Sequence, residues 1–258
     1  MYNKILIINL MYIGDLLFTT PLLRELRQNF PQSSISMMVD SKIADVVRYN
    51  PNLSGIIEVD KKGYHNKLHN YIKLIIDIRK SGYDLVINLH PNERSSIIAA
   101  FSGGKRIIGF SAKFFDHFFN DLMHNRKDIH QVDAYLEVLK VLNINKFSNY
   151  GLEMYFDKQS EASSDQKWTQ VFSEKINVIG INTGGSWKTK RWKQSGFAEL
   201  ADNLIEKGFG VAFFGGISDI DDVKCIINNM KHKNSTKLGM FTGKISLTEL
   251  ACMMKKCS

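Results

Sequence analysis

The amino-acid sequence predicts an α/β protein with two doubly wound units in tandem, each a parallel β-sheet covered by helices on both faces. Three observations lead to this prediction. The runs Lys4–Leu10 and Asp84–Leu89 are mainly apolar and contain β-branched residues, which is typical of strands buried on both faces. Stretches with helical periodicity alternate with such runs. The alternation stops over the polar residues 143–175 and then restarts, which indicates a second unit.

The first unit begins with the strand Lys4–Leu10. A helix is predicted over Pro21–Phe30, with Thr20 as its N-cap. Proline is favoured at the first helical position, and Pro31 cannot continue the helix, so both ends are marked. The remaining elements predicted in this unit are, in order, the strand Ser34–Val39, a short helical stretch from Ile43 to Val47, the strand Gly55–Val59, a helix from Leu68 that Gly82 ends, the strand Asp84–Leu89, the helix Ser95–Phe101, the strand Arg106–Phe110 and the helix Val132–Leu142.

Residues 146–175 are predicted to be a linker region, because they are polar and include the run Ser160–Asp165. The first domain is therefore predicted as residues 1–145 and the second as residues 176–258. The elements predicted in the second unit are the strands Val178–Asn182, Gly210–Phe214 and Leu238–Phe241 and the helices Gly196–Lys207, Ile220–Met230 and Leu247–Lys255.

The composition is that of a globular protein, with 44% hydrophobic and 23% charged residues among 258. No apolar run is long enough to span a bilayer, and the N-terminus lacks the pattern of a signal peptide, so a cytoplasmic location is predicted. Cys225, Cys252 and Cys257 are odd in number and form no C-x-x-C pair. They are therefore interpreted as reduced thiols, without a disulfide framework or a zinc site.

The formal net charge of +8 favours anionic partners, such as nucleotide diphosphates, phosphorylated glycolipids or an acidic membrane surface. A basic protein from a lysine-rich proteome would have the same charge. Aromatic residues are not interleaved with the basic ones, so nucleic acid is not predicted as a partner.

The loops that follow strands are the places to look for a site, because ligands of such sheets bind at the carboxyl ends of the strands. Gly14 and Asp15 follow the first strand, just before a helical segment. Asp15 has two compatible interpretations, a helix N-cap and a general base that takes a proton from an attacking hydroxyl. A dinucleotide site is disfavoured, because only one glycine of the G-x-G-x-x-G pattern is present.

The loop from Thr183 to Trp192 follows the first strand of the second unit. Its two glycines, its hydroxyl groups and its three cations favour binding of a phosphate or diphosphate. It is not a P-loop, and a solvated basic loop is the alternative interpretation.

Other loops offer weaker candidates. Gly215 and Gly216 follow the next strand and would let the backbone turn tightly beside a ligand or simply turn. Lys61, Lys62 and Arg94 could bind an anionic acceptor or could be solvated charges, and these two interpretations stay open. No metal site is predicted, because the pair His65 and His69 lacks a third ligand.

At this point a family resemblance emerges. The opening Ile13–Pro21 resembles the G-D-x-x-x-x-T-P motif of glycosyltransferase family 9, the ADP-heptose:lipopolysaccharide heptosyltransferases. The similarity continues in order through Asp84–Leu89, Arg94-Ser95, Gly104–Phe110, His130–Leu136, Thr183–Gly185, Lys190–Trp192, Phe213–Gly216 and Thr242–Leu250.

The resemblance implies a GT-B fold, with an acceptor-binding Rossmann-like domain and a nucleotide-sugar-binding one. It implies inverting, metal-independent transfer of heptose from ADP-heptose to the lipopolysaccharide inner core, without a cofactor. In this scheme Asp15 is the general base and Lys190 binds the donor diphosphate. The implied donor-binding residues are Thr183, Gly184, Gly185, Ser186, Lys190, Gly215 and Gly216. The implied acceptor-binding residues are Gly14, Lys61, Lys62 and Arg94.

The resemblance ends at Cys257-Ser258, before the D-S-G-P-x-H turn of the family. The second domain is therefore predicted to be incomplete, in a C-terminally truncated chain. Two alternatives stay open: a GT-B transferase with another nucleotide-sugar and another surface glycan, and an inactive remnant that only binds an anionic glycolipid. Because the acceptor is a lipid, peripheral contact with the inner face of the inner membrane is also predicted.

Overall fold

The computed structural model describes residues 2–110, 113–124, 128–172, 176–185 and 188–258. The chain divides into two compact units, Met1–Tyr155 and Phe156–Ser258. Each unit contains one sheet in which all strands are parallel, and the α/β fold class is therefore confirmed. No helix in the described part of the chain is long and apolar enough to cross a membrane.

The sheet of the first unit has the strand order β3-β2-β1-β4-β5-β6. Its strands are β1 (Lys4–Ile8), β2 (Ser34–Asp40), β3 (Gly55–Val59), β4 (Leu85–Asn88), β5 (Arg106–Phe110) and β6 (Asp121–Met123). The helices are α1 (Ile13–Asn29), α2 (Leu68–Ser81), α3 (Glu93–Phe101) and α4 (Gln131–Val141). From β1 the chain adds strands on one side, β2 and then β3, and afterwards on the other side, β4 to β6. The switch point of the sheet therefore lies between β1 and β4, and ligands of such sheets bind at the carboxyl ends of the two strands at this point.

The centre of this sheet is closed to water on both faces. Ile5, Leu6, Ile7 and Ile8 of β1 are all completely buried. Successive side chains of a strand point to opposite faces, so each helical layer receives every second residue. This explains why the strand is continuously apolar rather than alternating.

Helix α1 begins at Ile13, eight residues before the predicted start at Pro21, so the assignment of Thr20 as an N-cap is wrong. Proline inside a helix cannot donate a hydrogen bond to the carbonyl four residues earlier. Here the hydroxyl of Thr20 donates to the carbonyl of Leu17 at 2.8 Å, so the acceptor that Pro21 leaves unpaired is satisfied. The helix therefore continues through Pro21.

The second unit has a three-stranded sheet in the order β7-β8-β9. Its strands are β7 (Val178–Asn182), β8 (Gly210–Phe214) and β9 (Leu238–Met240). The helices are α5 (Lys158–Val171), α6 (Gln194–Glu206), α7 (Ile220–Asn228) and α8 (Leu247–Met254). One core lies on the side of α6 and α7, around Phe213 and Val223. The other lies on the side of α5 and α8, around Trp168 and Met253.

Helix α5 lies in the segment that was expected to be irregular, and this expectation is wrong. Asp157 caps the helix by accepting a hydrogen bond from the N–H of Ser160 at 2.9 Å. The Trp168 ring stacks on Phe241 with 5.8 Å between the ring centroids. Polar contacts to α8 complete the packing, among them the ion pair between Lys167 and Glu249 at 2.6 Å. The polar composition that suggested a linker therefore belongs to a helix that packs through both an apolar core and polar contacts to α8.

Candidate functional site

In the first unit, the loops at the carboxyl ends of β1, β2, β3 and β4 are tied together by one lysine. The Nζ atom of Lys61 lies 2.9 Å from Oδ2 of Asp40, at the end of β2. The same ammonium group donates to the carbonyl of Leu10, after β1, at 2.5 Å. The guanidinium of Arg94, after β4, donates to the carbonyl of Lys61 at 3.0 Å. A cluster of charged groups therefore lies at the switch point of the sheet.

Asp15 is the third residue of α1, so it is not the N-cap; that position belongs to Tyr12. Its Oδ2 accepts a hydrogen bond from the N–H of Tyr12 at 3.2 Å. Its Oδ1 has no hydrogen-bond partner among the described residues. The partial positive charge of the first helical turn favours a carboxylate here. Asp15 is half-buried, with one oxygen fixed and the other available to a ligand.

Asn9 fixes the backbone around Asp15, although nothing in the sequence pattern singled it out. It is completely buried, and its Oδ1 accepts from the N–H of Met11 at 3.2 Å. Its Nδ2 donates to the carbonyl of Asp15 at 3.3 Å and to the hydroxyl of Thr19 at 3.0 Å. A buried amide with its groups satisfied in this way holds the loop in one conformation. The only available signal was a polar residue at the end of a buried strand.

Tyr135 of α4 is a second residue that the sequence analysis did not assign to the site. Its side chain is completely buried, and its hydroxyl lies 3.8 Å from the sulfur of Met11. Burial, reinforced by the charge of Asp15, raises the pKa of Tyr135 to about 12. The phenol is therefore neutral at physiological pH and can serve as a hydrogen-bond donor below the Asp15 loop.

The predicted acceptor-binding cations differ in their surroundings. Lys62 is exposed, whereas Lys61 is engaged with Asp40 and the Leu10 carbonyl. Arg94 also donates to the carbonyl of His65 at 2.6 Å, and its guanidinium lies 5.1 Å from the centroid of the Tyr71 ring. These contacts hold the loop after β3 in place. Contact of any of the three cations with an acceptor stays a prediction.

His90, two residues after the end of β4, is a third residue near the site that no sequence pattern had indicated. Burial, together with the positive charge of Lys61, lowers the pKa of His90 to about 4. Its Nε2 lies 2.7 Å from the side-chain amide of Asn92. The imidazole is therefore neutral at pH 7, beside the cluster around Lys61.

The depressed pKa of His90 gives a testable pH dependence. Between pH 6.5 and about 4 the unfolded chain binds a proton at this residue that the folded chain does not, so stability falls as pH falls through this window. We expect His90→Gln to reduce this loss. Urea unfolding from pH 7 to pH 4 measures the effect, with the exposed His69→Gln as a matched control. Equal pH profiles for wild type and His90→Gln would contradict the assignment.

The two histidines considered as metal ligands do not form a centre in the structure. Nδ1 of His65 accepts a hydrogen bond from the N–H of Asp60 at 3.0 Å. Across the described ranges, no three His, Cys, Asp or Glu side chains are grouped so that they could hold a metal ion.

In the second unit, the loops after β7 and β8 meet at the buried carboxylate of Asp219. The N–H of Gly216 donates to its Oδ2 at 2.9 Å. A Cβ at Gly184 would lie 2.8 Å from that oxygen, and a Cβ at Gly215 would lie 3.1 Å from the Asp219 Cβ. The absence of a side chain at Gly184 and Gly215 thus lets these loops approach Asp219 closely. This structural requirement is compatible with the predicted role in donor binding, which stays a prediction.

The cations of the loop after β7 are used in different ways. Arg191 donates from Nε to the carbonyl of Gly185 at 2.9 Å and pairs through Nη1 with Asp222 at 2.6 Å. Arg191 therefore secures the loop. Lys190 is exposed and forms no ion pair with any described residue, so its charge is available to a ligand. Ser186, a predicted donor-binding residue, lies outside the described residues.

A cavity of about 460 Å³ opens beside this loop. It is lined by Thr183, Arg191, Trp192, Lys193, Gln194, Phe197, Asp222 and Ile226. Thr183 is only 6% exposed, and its hydroxyl has no hydrogen-bond partner within the described residues. A buried hydroxyl without a protein partner is typical of a position that binds water or a ligand.

The chain is similar to known proteins in both sequence and structure. Residues 71–258, well over half of the chain, match the model of "Glycosyltransferase family 9 (heptosyltransferase)". Lipopolysaccharide heptosyltransferase 3 of Escherichia coli K12 is 26% identical over 260 residues, which cover 94% of this chain and 72% of that protein. Lipooligosaccharide heptosyltransferase 2 of Haemophilus influenzae is 25% identical, with 99% of this chain and 76% of that protein covered.

Two solved structures are similar over nearly the whole chain. The glycosyl transferase family 9 protein from Veillonella parvula is 34% identical with a TM-score of 0.92, and the match covers 99% of this chain and 74% of that one. ADP-heptose lipopolysaccharide heptosyltransferase II of E. coli is 20% identical with a TM-score of 0.83, over 98% of this chain and 77% of that one. At 20% identity, the match to the E. coli enzyme shows only that this chain has the same fold, which is GT-B.

Proposed function

The chain belongs to glycosyltransferase family 9, the heptosyltransferases, and from this premise we propose that it transfers a heptose from ADP-heptose to the inner core of lipopolysaccharide with inversion at the anomeric carbon. The observation that carries the proposal is the carboxylate of Asp15. It lies at the switch point of the first sheet, with one oxygen held by the N–H of Tyr12 and the other without a partner among the described residues.

Asp15 acts as the general base in the proposed reaction. An acceptor hydroxyl attacks the anomeric carbon, and its proton passes to the carboxylate of Asp15 as the new C–O bond forms. The bond from the anomeric carbon to the phosphate oxygen breaks, and ADP departs with the electron pair. Asn9 holds the backbone carbonyl of Asp15, so the base keeps its orientation without a rearrangement of the loop.

The loop after β7 binds the donor in this proposal. Negative charge develops on the diphosphate as ADP leaves, and a positioned cation stabilises it. Lys190 supplies that charge, so the proposed reaction needs no metal ion. Thr183 and the backbone N–H of Gly185 contact the phosphates, because a glycine-containing loop between a strand and a helix exposes N–H groups to an anion. The N–H of Gly184 donates to Oδ1 of Asn182 at 2.9 Å, so Gly184 contributes to donor binding through its lack of a side chain.

The acceptor lies against the first unit, in contact with Lys61, Lys62 and Arg94. An anionic group of the acceptor would compete with Asp40 for the ammonium of Lys61, which is the most central of these cations. The enzyme acts in the cytoplasm, in peripheral contact with the membrane that holds its acceptor.

Gly14 has a specific part in acceptor binding. A Cβ at this second position of α1 would have no atom within 4 Å, so neither packing nor backbone conformation requires a glycine. We expect Gly14→Ala to raise the free energy of unfolding by about 0.5–1 kcal/mol, because alanine is the better helix former. We also expect it to raise the KM for the acceptor, because the added methyl occupies the space beside Asp15.

Gly55→Ala is the matched control, because a Cβ there is equally free of contacts. Steady-state kinetics and urea unfolding of both variants measure the two effects. An unchanged KM in Gly14→Ala would contradict contact between Gly14 and the acceptor.

Incubation of the chain with ADP-heptose, UDP-sugars and GDP-sugars and a heptose-deficient acceptor tests the proposed activity. We expect transfer from ADP-heptose alone, and an inverted anomeric configuration in the product by NMR. Transfer from another nucleotide-sugar would refute the assigned donor. Acceptor binding without transfer from any donor would refute the catalytic proposal.

A further inference from the structure

Helix α2 carries a row of apolar side chains on its exposed face. Leu68, Ile72 and Ile76 are spaced four residues apart and therefore line one face of the helix. Their exposed fractions are 72%, 46% and 44%. Tyr64 precedes the row and is 55% exposed. These four residues form the α2 stripe.

The packing of the unit does not account for the α2 stripe. The opposite face of α2 supplies Leu74 and Ile78 to the core, with Tyr71 and Ile75 packed against it. Single exposed apolar residues are ordinary on a protein surface, but a contiguous row is typical of an interaction site. The stripe is therefore available for a partner.

The charges beside the stripe identify the chemistry of that partner. Lys73, Arg79 and Lys80 of the same helix are all exposed, and none forms an ion pair with a described residue. Asp77 is the only acidic residue of α2. Exposed Lys62 and Lys67 precede the helix. An apolar face with basic residues beside it is typical of a helix that lies in the interface of an acidic membrane.

The α2 stripe begins beside the proposed acceptor site. Arg94 donates to the carbonyls of Lys61 and His65, so the segment that leads into α2 is fixed to the carboxyl end of β4. The 14 residues of α2 extend about 21 Å from this point at the usual rise of the α-helix. A surface in contact with the stripe would therefore lie close to the cluster around Lys61.

We propose that the α2 stripe and its neighbouring cations form a docking surface for a membrane that contains acidic phospholipids. Leu68, Ile72 and Ile76 enter the interface, and Lys73 and Lys80 contact the lipid phosphates. The role in catalysis rests on the proposed function: docking presents the first unit to a lipid-linked acceptor. A second copy of this chain fits the surface less well, because its own Lys73, Arg79 and Lys80 would repel those of the first.

Cosedimentation with vesicles tests the proposal. The probe is a vesicle of phosphatidylethanolamine and phosphatidylglycerol at low salt, compared with pure phosphatidylcholine. The stripe variant replaces three residues: Leu68→Gln, Ile72→Gln and Ile76→Gln. The control variant replaces three other exposed leucines (42%, 48% and 39%): Leu122→Gln, Leu152→Gln and Leu200→Gln.

We expect the stripe variant to bind the acidic vesicles at least about tenfold more weakly than wild type, and the control variant to bind as wild type does. Lys73→Gln combined with Lys80→Gln should weaken binding at low salt and reduce its salt dependence. The stripe and lysine substitutions lie in α2, where glutamine is a good helix former, and thermal unfolding of all three variants checks that each is folded. Equal binding by wild type and the stripe variant would overturn the proposal. So would a wild-type dimer in sedimentation velocity that the stripe variant dissociates.

Two acceptors separate this inference from the proposed function. The stripe variant should lose transfer to acceptor embedded in vesicles but keep wild-type transfer to the core oligosaccharide freed of its lipid. Wild type inactive on both acceptors would refute the proposed function, whereas vesicle binding that depends on the stripe would still support the docking surface. Loss of transfer to the lipid-free acceptor in the stripe variant would overturn the docking role.

Discussion

Replacing Asp15 by asparagine is expected to lower the kcat for heptose transfer about a thousandfold, within the range that general-base catalysis contributes. Asparagine cannot accept the proton of the attacking hydroxyl. Its side-chain oxygen can still accept the hydrogen bond from the N–H of Tyr12, so the start of α1 should stay intact. Affinity for donor and acceptor should change little, because only the base is removed. Steady-state kinetics and equilibrium binding of both substrates measure this separation.

Asp45→Asn is a suitable control for this experiment. Asp45 is a half-buried carboxylate of the same unit, like Asp15, and it pairs with Arg48 at 2.7 Å and has no assigned part in the reaction. We expect it to keep wild-type turnover. If Asp15→Asn retained most of its kcat, or lost kcat only together with its fold, Asp15 would not be the base.

Replacing Lys190 by glutamine should lower kcat about a hundredfold, the lower end of the range for removal of one electrostatic stabiliser of a transition state. The charge that develops on the departing diphosphate would then lack its cation. Lys190 is exposed and has no ion pair within the described part of the chain, so its loss should leave the stability of the second unit unchanged.

Lys207→Gln controls for the loss of one positive charge from the second unit. Lys207 is exposed at the C-terminal end of α6, away from the carboxyl ends of the strands. We expect no change in its kinetics. A similar fall in kcat for both variants would attribute the effect to net charge, and an unchanged kcat in Lys190→Gln would exclude Lys190 from the reaction.

The strands that pack on both faces were the most predictable part of the fold. β1 and β4 lie within the mainly apolar runs that suggested them, because strands buried on both faces are built mostly from apolar side chains. β6 has only three residues, and its position depends on pairing with β5, such as Ile108 with Asp121. No local pattern marks such a strand. The start of α1 was missed because Pro21 was taken as its beginning.

The candidate site was predictable only where residue chemistry and position agreed. Asp15 and Lys61 are charged residues in loops that follow strands, and such residues can be found from the sequence. Asn9, His90 and Tyr135 are important because of what surrounds them in the folded unit. The burial that lowers the pKa of His90, for example, depends on a neighbouring loop that brings Lys61 near. Such properties arise from tertiary structure and produce no recognisable pattern of residues in the sequence.

The central position of β1 has a consequence for biosynthesis. β1 is made first and can pair with β2 as soon as Asp40 has left the ribosome, but its other partner, β4, ends only at Asn88. At the usual rate of translation the intervening 48 residues take about 2–10 s to synthesise. During that time one edge of a strand with four consecutive apolar residues has no partner in the nascent chain. The strand that leads to Asp15 is thus the part of the first sheet that a chaperone would have most reason to protect.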